Sequence, residues 1–173
     1  MLLGFTAIVL VGAVVPLTLS TIKQDKSSFI QDTQAMANVD ASVAQPRVTS
    51  AARLGPKINR KLAVALPVDY TLLYVYKQVE QAGDGLVIYL NYGFVLDAKG
   101  QVPAGQWRQL AAQVAETGRA ITRTTGSRSI VAVPVFNAGR LAGPVLGTVI
   151  LFRSTAPLDR EIVALWVLFG TIC

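Results

Sequence analysis

The charged residues of this chain are confined to its middle. All 16 basic and 10 acidic side chains lie between Lys23 and Glu161, so residues 1–22 and 162–173 carry no charge. A helix over residues 1–22 would be about 33 Å long, enough to cross a hydrocarbon core of about 30 Å. The pattern predicts a transmembrane helix over residues 1–22, followed by a polar domain.

The competing interpretation of the first run is a cleaved signal peptide. A signal peptide begins with basic residues, and residues 1–22 contain none. It ends at a small-x-small cleavage site, and none follows Leu19. An uncleaved anchor is therefore favoured. The final apolar run is too short to span a membrane alone. We interpret residues 158–173 as the start of a second, truncated transmembrane helix of a longer protein, with a buried C-terminal core helix as the alternative.

Histidine and cysteine, which take part in many enzyme reactions, are absent or rare in this chain. The chain has no histidine, and its one cysteine is Cys173. An imidazole base, a histidine-containing zinc site, a phospho-accepting histidine and an intrachain disulfide are therefore excluded within these residues. We predict no catalytic residue, metal site or cofactor in this chain. The net charge of +6 suits anionic surroundings without choosing among them.

Residues 23–84 are predicted to form stalk and linker helices. Apolar residues recur with a spacing of seven along residues 23–45, which is typical of a helix, and Pro46 is expected to end it. This apolar face either pairs with a second copy or packs on its own domain. It consists of Ile22, Phe29, Met36 and Val43, with Ile30, Val39 and Ala44 beside them.

Residues 85–157 are predicted to form a sheet domain. Asp69 and Gly83 are typical of the start and end of a helix over Tyr70–Ala82. Gly55-Pro56 predicts a bend before a short helix, and residues 98–100 are expected to turn the chain. The predicted strands are residues 86–90, 94–97, 120–124, 129–136 and 145–152, with a short helix at 105–116 and a last helix capped by Ser154 or Thr155. This order predicts an α+β fold, a five-stranded antiparallel sheet with the long helix on one face and the short helix on the other.

Three segments together resemble a known family. They read GLVIYLNYGFVLDAKG at 85–100, SIVAVPVFNAGRLAG at 129–143 and GTVIL at 147–151, between an anchored stalk and a return helix. This arrangement resembles the extracytoplasmic sensor region of bacterial two-component sensor histidine kinases, of the single-Cache or PAS-like type. In that family the last two segments are neighbouring strands, one of which leads to the second membrane helix.

The resemblance implies a location and partners. It implies a homodimer in the cell membrane with residues 23–161 extracytoplasmic, sensing a small ligand and signalling to a cytoplasmic kinase core. ATP, magnesium and a response regulator belong to that core, which lies outside these residues. Nucleic acid is not an expected partner. The same module also precedes chemoreceptor outputs, and a membrane-tethered adaptor without enzymatic output is a further alternative.

The resemblance also implies a ligand site near the central strands. Arg123 and Arg128 flank a turn, where two guanidinium groups are able to hold a carboxylate or phosphate, although solvated strand-end charges are the simpler interpretation. Strand alternation places Arg123 on the same face as Ile121. Asp84 and Asp97 are interpreted as turn residues. The candidate ligand-binding residues are Tyr89, Tyr92, Arg119, Thr122, Arg123 and Arg128.

Overall fold

The computed structural model describes residues 2–104, 107–137 and 143–170. Side chains are described from residue 20 onward, without those of residues 165–166 and 168–170. The chain divides into two compact units. One contains the beginning of the first helix, up to Asp32, together with the last helix. The other, Thr33–Thr155, contains the sheet and every site discussed below.

The predicted order of helices and strands is confirmed. In chain order the elements are α1 (Leu2–Leu54), a 3-10 turn (Gly55–Lys57), α2 (Arg60–Ala65), α3 (Tyr70–Ala82), β1 (Gly85–Leu90), β2 (Val95–Gly100), α4 (Trp107–Thr117), β3 (Ile121–Thr125), β4 (Arg128–Phe136), β5 (Val145–Ser154) and α5 (Ala156–Gly170). Asp69 caps α3 by accepting the backbone N–H of Thr71, and Gly83 ends it with a positive φ.

The five strands form one antiparallel sheet in the order β2-β1-β5-β4-β3. β5 lies in the middle, where Val149 faces Ile88 of β1 on one side and Val133 of β4 on the other. β4 and β5 are neighbours, as the resemblance implies. The α+β class and the five-stranded antiparallel sheet are therefore confirmed.

Each face of the sheet is covered by different helices. Leu86, Ile88, Val131, Val149 and Leu151 pack with α1, α2 and α3 on one face. On the other face, Val87, Ile130, Ala132, Ile150 and Phe152 pack with Trp107, Leu110, Ala111 and Val114 of α4. We call these the α1 face and the α4 face. Because both faces of the sheet are covered, nearly all residues of β1 and β5 are buried. Strands buried on both faces are expected to be apolar along almost their whole length, and these two are.

The predicted apolar face of α1 packs on the sheet only in part, since Ala44 is buried and Val43 packs against the core. The buried apolar residues are four alanines, Ala37, Ala41, Ala44 and Ala51, together with Val48, whereas Met36 and Val39 are exposed. Small side chains let the helix backbone come close to the sheet. At Gly147 of β5, an added Cβ would lie 3.1 Å from Val48 Cγ1 of α1 and 2.6 Å from Tyr89 O of β1.

Two local predictions were also wrong. Helix α1 does not end before Pro46 but continues to Leu54. Pro46 removes one backbone donor, yet the turns after it are held by buried Val48 and Ala51 and by the hydrogen bonds of Arg47. Residues 98–100 do not form a turn, since they extend β2 and pair with residues 85–87 of β1.

The predicted membrane spans fall largely outside the described side chains. Residues 1–19 and most of residues 165–173 are not described at that level. Within the part that is described, no helix combines the length and the apolar character needed to cross a membrane.

Candidate functional site

Three of the six predicted ligand-binding residues lie on the α4 face. Tyr89 meets the Trp107 ring edge-on, with 5.5 Å between ring centroids. Arg123 donates a 2.8 Å hydrogen bond from Nη2 to Gln113 Oε1 of α4, so it shares a face with Ile121 as strand alternation predicts. Arg128 donates to the carbonyl oxygen and to Oε1 of Gln101.

The other three predicted residues lie elsewhere. Tyr92 is in the turn between β1 and β2, where its hydroxyl donates to Ala52 O of α1 at 3.2 Å. Thr122 faces the opposite way from Arg123 because it is the next residue of the same strand. Arg119 is exposed in the segment after α4. The six residues therefore do not converge on one site, and anion binding by Arg123 and Arg128 stays a prediction.

A cavity lies between α1 and α3. It has a volume of about 450 Å³, and its walls are largely apolar, with Met36 and Val39 from α1 and Tyr74 and Val75 from α3. Two carboxyl groups, Asp40 and Asp84, also line it. We call this the α1–α3 cavity. An apolar pocket with a few polar groups is the usual form of a small-molecule site.

Asp84 is a buried carboxyl group that has a partner. It is the residue before β1, and its Oδ1 accepts the backbone N–H of Ser154 at 3.1 Å. Burial raises its pKa, while the Ser154 bond and the charges of Arg153 and Arg128 act in the opposite direction. Asp84 therefore ties the start of β1 to the end of β5. Asp84 lies in the short connection between α3 and β1, and the sequence predicted a turn residue at this position.

Asp40 is a buried carboxyl group without a partner. Only 7% of the residue is exposed, and burial raises its pKa to about 6 from an ordinary 3.8. Among the described residues, none donates a hydrogen bond to its carboxylate or forms an ion pair with it. An unpaired charge in such a place is costly to the folded state. Asp40 is thus the group at this cavity whose charge the protein leaves uncompensated.

A second charged residue of α1 is fully compensated. The Arg47 guanidinium donates to both carboxylate oxygens of Asp97, at 2.6 and 3.3 Å. Its remaining hydrogen bonds go to the backbone oxygens of Ala63, Leu66 and Pro67. Asp97 is therefore a residue of β2 that joins the sheet to α1, which corrects its interpretation as a turn residue.

The burial of Asp40 and Arg47 was not predicted from the sequence. Neither Asp40 nor Arg47 belongs to the apolar face that the sequence predicts for α1, so that pattern does not mark them as buried. The signal that could have found them is that each directly precedes a buried apolar residue of the helix: Asp40 precedes Ala41, and Arg47 precedes Val48. Within the described residues, no group of three or more acidic or cysteine side chains is placed to hold a metal ion.

The chain is similar to solved structures. No protein-family model matches the sequence, and no curated protein matches it. Among solved structures, it is similar to the ligand-binding domain of the Pseudomonas aeruginosa PAO1 amino acid chemoreceptor PctC in complex with GABA, with a TM-score of 0.37 and 14% identity. The match covers 73% of this chain and 66% of that one. Similarity at this level assigns neither a fold family nor a ligand to the present chain.

Proposed function

We propose that this chain is the signal-sensing portion of a membrane-anchored receptor, of the Cache or PAS-like kind that precedes a histidine kinase. The observation that carries the proposal is the connection between β5 and α5. β5 is the middle strand of the sheet and ends at Ser154, and α5 begins at Ala156 after a single residue. Only Thr155 separates the strand from the helix, so a movement of the end of β5 is expected to move the start of α5.

The start of this connection is held in place. The backbone N–H of Thr155 donates to Ser127 O at 2.8 Å, and the N–H of Ser154 donates to Asp84. A ligand shifts a two-state sensor only by binding one state more tightly than the other. Under this proposal, a ligand that changes the sheet changes the position at which α5 begins.

The remaining parts of the proposal come from the sequence. The uncharged residues 1–22 and 162–173 would anchor the chain in the cell membrane, with residues 23–161 extracytoplasmic. A homodimer is part of the proposal because the resemblance implies one. A kinase core, with its ATP, magnesium and response regulator, would follow the chain. A chemoreceptor output is the alternative.

A chimeric receptor tests this function. Residues 1–173 replace the sensor and membrane part of a reporter histidine kinase, and phosphotransfer to its response regulator is measured in cells. Two glycines inserted after Thr155 should shift the basal output about fivefold or more, because they uncouple β5 from α5. The same insertion after Ala104, in the exposed loop before α4, should leave the output unchanged. Equal effects of the two insertions would contradict the proposal.

A further inference from the structure

The α1–α3 cavity combines an uncompensated carboxylate with apolar walls. Asp40 is 7% exposed and has no hydrogen-bond or ion-pair partner among the described residues. Met36, Val39 and Tyr74, which line the same cavity, are 42%, 60% and 63% exposed. The cavity is therefore open to solvent beside a charge that the protein does not neutralise. A ligand that supplies the missing positive charge would gain what the fold leaves unsatisfied.

The lining selects among ligand classes. An anion would meet two carboxyl groups, Asp40 and Asp84, and a neutral molecule would leave Asp40 uncompensated. Calcium takes six to eight oxygen ligands and magnesium demands near-ideal octahedral geometry, yet the described residues offer no group of three metal-binding side chains. An organic cation satisfies both parts of the lining, because its charge pairs with a carboxylate and its carbon atoms cover apolar side chains.

We propose that the α1–α3 cavity binds a small organic ammonium ion, with Asp40 as its anionic partner and Met36, Val39 and Tyr74 against its apolar body. A primary ammonium group has three donors for a carboxylate that accepts no other hydrogen bond. Asp84 adds a second negative group to the lining, although its Oδ1 already accepts the N–H of Ser154. The cavity volume of about 450 Å³ lies within the range of small-ligand pockets.

Three probes of similar size and shape test the charge requirement. Phenethylammonium, 3-phenylpropionate and 3-phenylpropanol each carry one phenyl ring and differ in charge. In calorimetric titrations of the full chain, the ammonium probe should bind about tenfold or more tightly than either of the others. Binding of all three probes with equal affinity, or of none of them, would overturn the proposal.

Two variants test the residue. Asp40→Asn keeps the shape of the side chain and removes its charge, so the affinity for phenethylammonium should fall about ten- to a hundredfold. Asp32→Asn, an exposed position of the same helix, should bind as the unchanged chain does. Tyr74→Ala should weaken the ammonium and alcohol probes by the same factor, since it removes wall surface and no charge.

The pH dependence of binding provides a further check. Asp40, Asp84 and Tyr74 are the titratable groups that line the cavity. Affinity for the ammonium probe should fall as the pH drops below about 6, because Asp40 then takes up a proton. Protonation of Asp84 acts in the same direction. An affinity that is constant through this window would count against Asp40 as the partner.

A second copy of the chain is the main rival occupant of the cavity. If Asp40→Asn changes the sedimenting mass and leaves amine binding unchanged, a partner's side chain supplies the cation and the proposal is wrong. The cavity exists whether or not the chain is a sensor. Amine binding by the purified chain and the glycine-insertion experiment on the chimera can therefore fail independently of each other.

Discussion

Asp40 and Arg47 lie seven residues apart on α1, and both are buried, to 7% and 6% exposure. Their surroundings are opposite. Arg47 holds Asp97 and three backbone oxygens, whereas Asp40 has no partner among the described residues. The helix therefore uses one buried charge to fasten the fold and leaves the other beside an open cavity. Burial alone does not distinguish a structural charge from a binding charge, but the set of partners does.

The largest effect on stability is expected from removing the Arg47 guanidinium. Arg47→Ala leaves Asp97 without its cation and three backbone oxygens without a donor, and should lower the free energy of unfolding by about 3–5 kcal/mol. Urea unfolding of the full chain measures this change. Arg53→Ala, at an exposed position of the same helix, should cost less than about 0.5 kcal/mol. If both variants lose the same free energy of unfolding, the hydrogen bonds of Arg47 do not stabilise the fold.

A smaller effect of opposite sign is expected at Asp40. Its pKa is raised from 3.8 to about 6, so the folded chain binds its proton more tightly than the unfolded chain does. Stability should therefore fall as the pH rises through this window, by roughly 3 kcal/mol when the carboxyl is fully ionised. Asp40→Asn should remove most of this slope and be more stable than the unchanged chain at about pH 8.

The control for this prediction is Asp32→Asn, which removes an exposed carboxyl from the same helix and should keep the slope. Any slope that remains in Asp40→Asn reports Asp84, whose pKa is also raised by burial. Stability measured by urea unfolding at several pH values decides the matter. A variant that is less stable than the unchanged chain at neutral pH would show that the Asp40 carboxylate has a stabilising partner.

The smallest effect is expected at Arg123, whose hydrogen bond to Gln113 is exposed. Arg123→Ala should change the free energy of unfolding by no more than about 0.5 kcal/mol. The variant also tests the anion site predicted from the sequence. If phosphate raises the melting temperature of the unchanged chain and not that of Arg123→Ala, the α4 face holds an anion. Equal shifts would remove Arg123 as its ligand.

Local signals were sufficient for most elements. The cap at Asp69, the end at Gly83 and the alternation from Ile121 to Arg123 depend on residues close together in the sequence, and each is confirmed. The prediction that α1 ends at Pro46 failed because contacts from distant residues outweigh one missing donor. Asp97, which completes the strongest of these contacts, is separated from Arg47 by fifty positions in the chain.

The sequence by itself determined the α+β class, the five strands and the uncharged ends of this chain, because these follow from local periodicity and composition. Only the tertiary structure decided which face of α1 is buried. The buried face is rich in alanine, which lets the helix approach the sheet, and Val48 of that face meets Gly147. That choice rotates Asp40 and Arg47 out of solvent, and the fold then provides a partner for one of them and a cavity for the other.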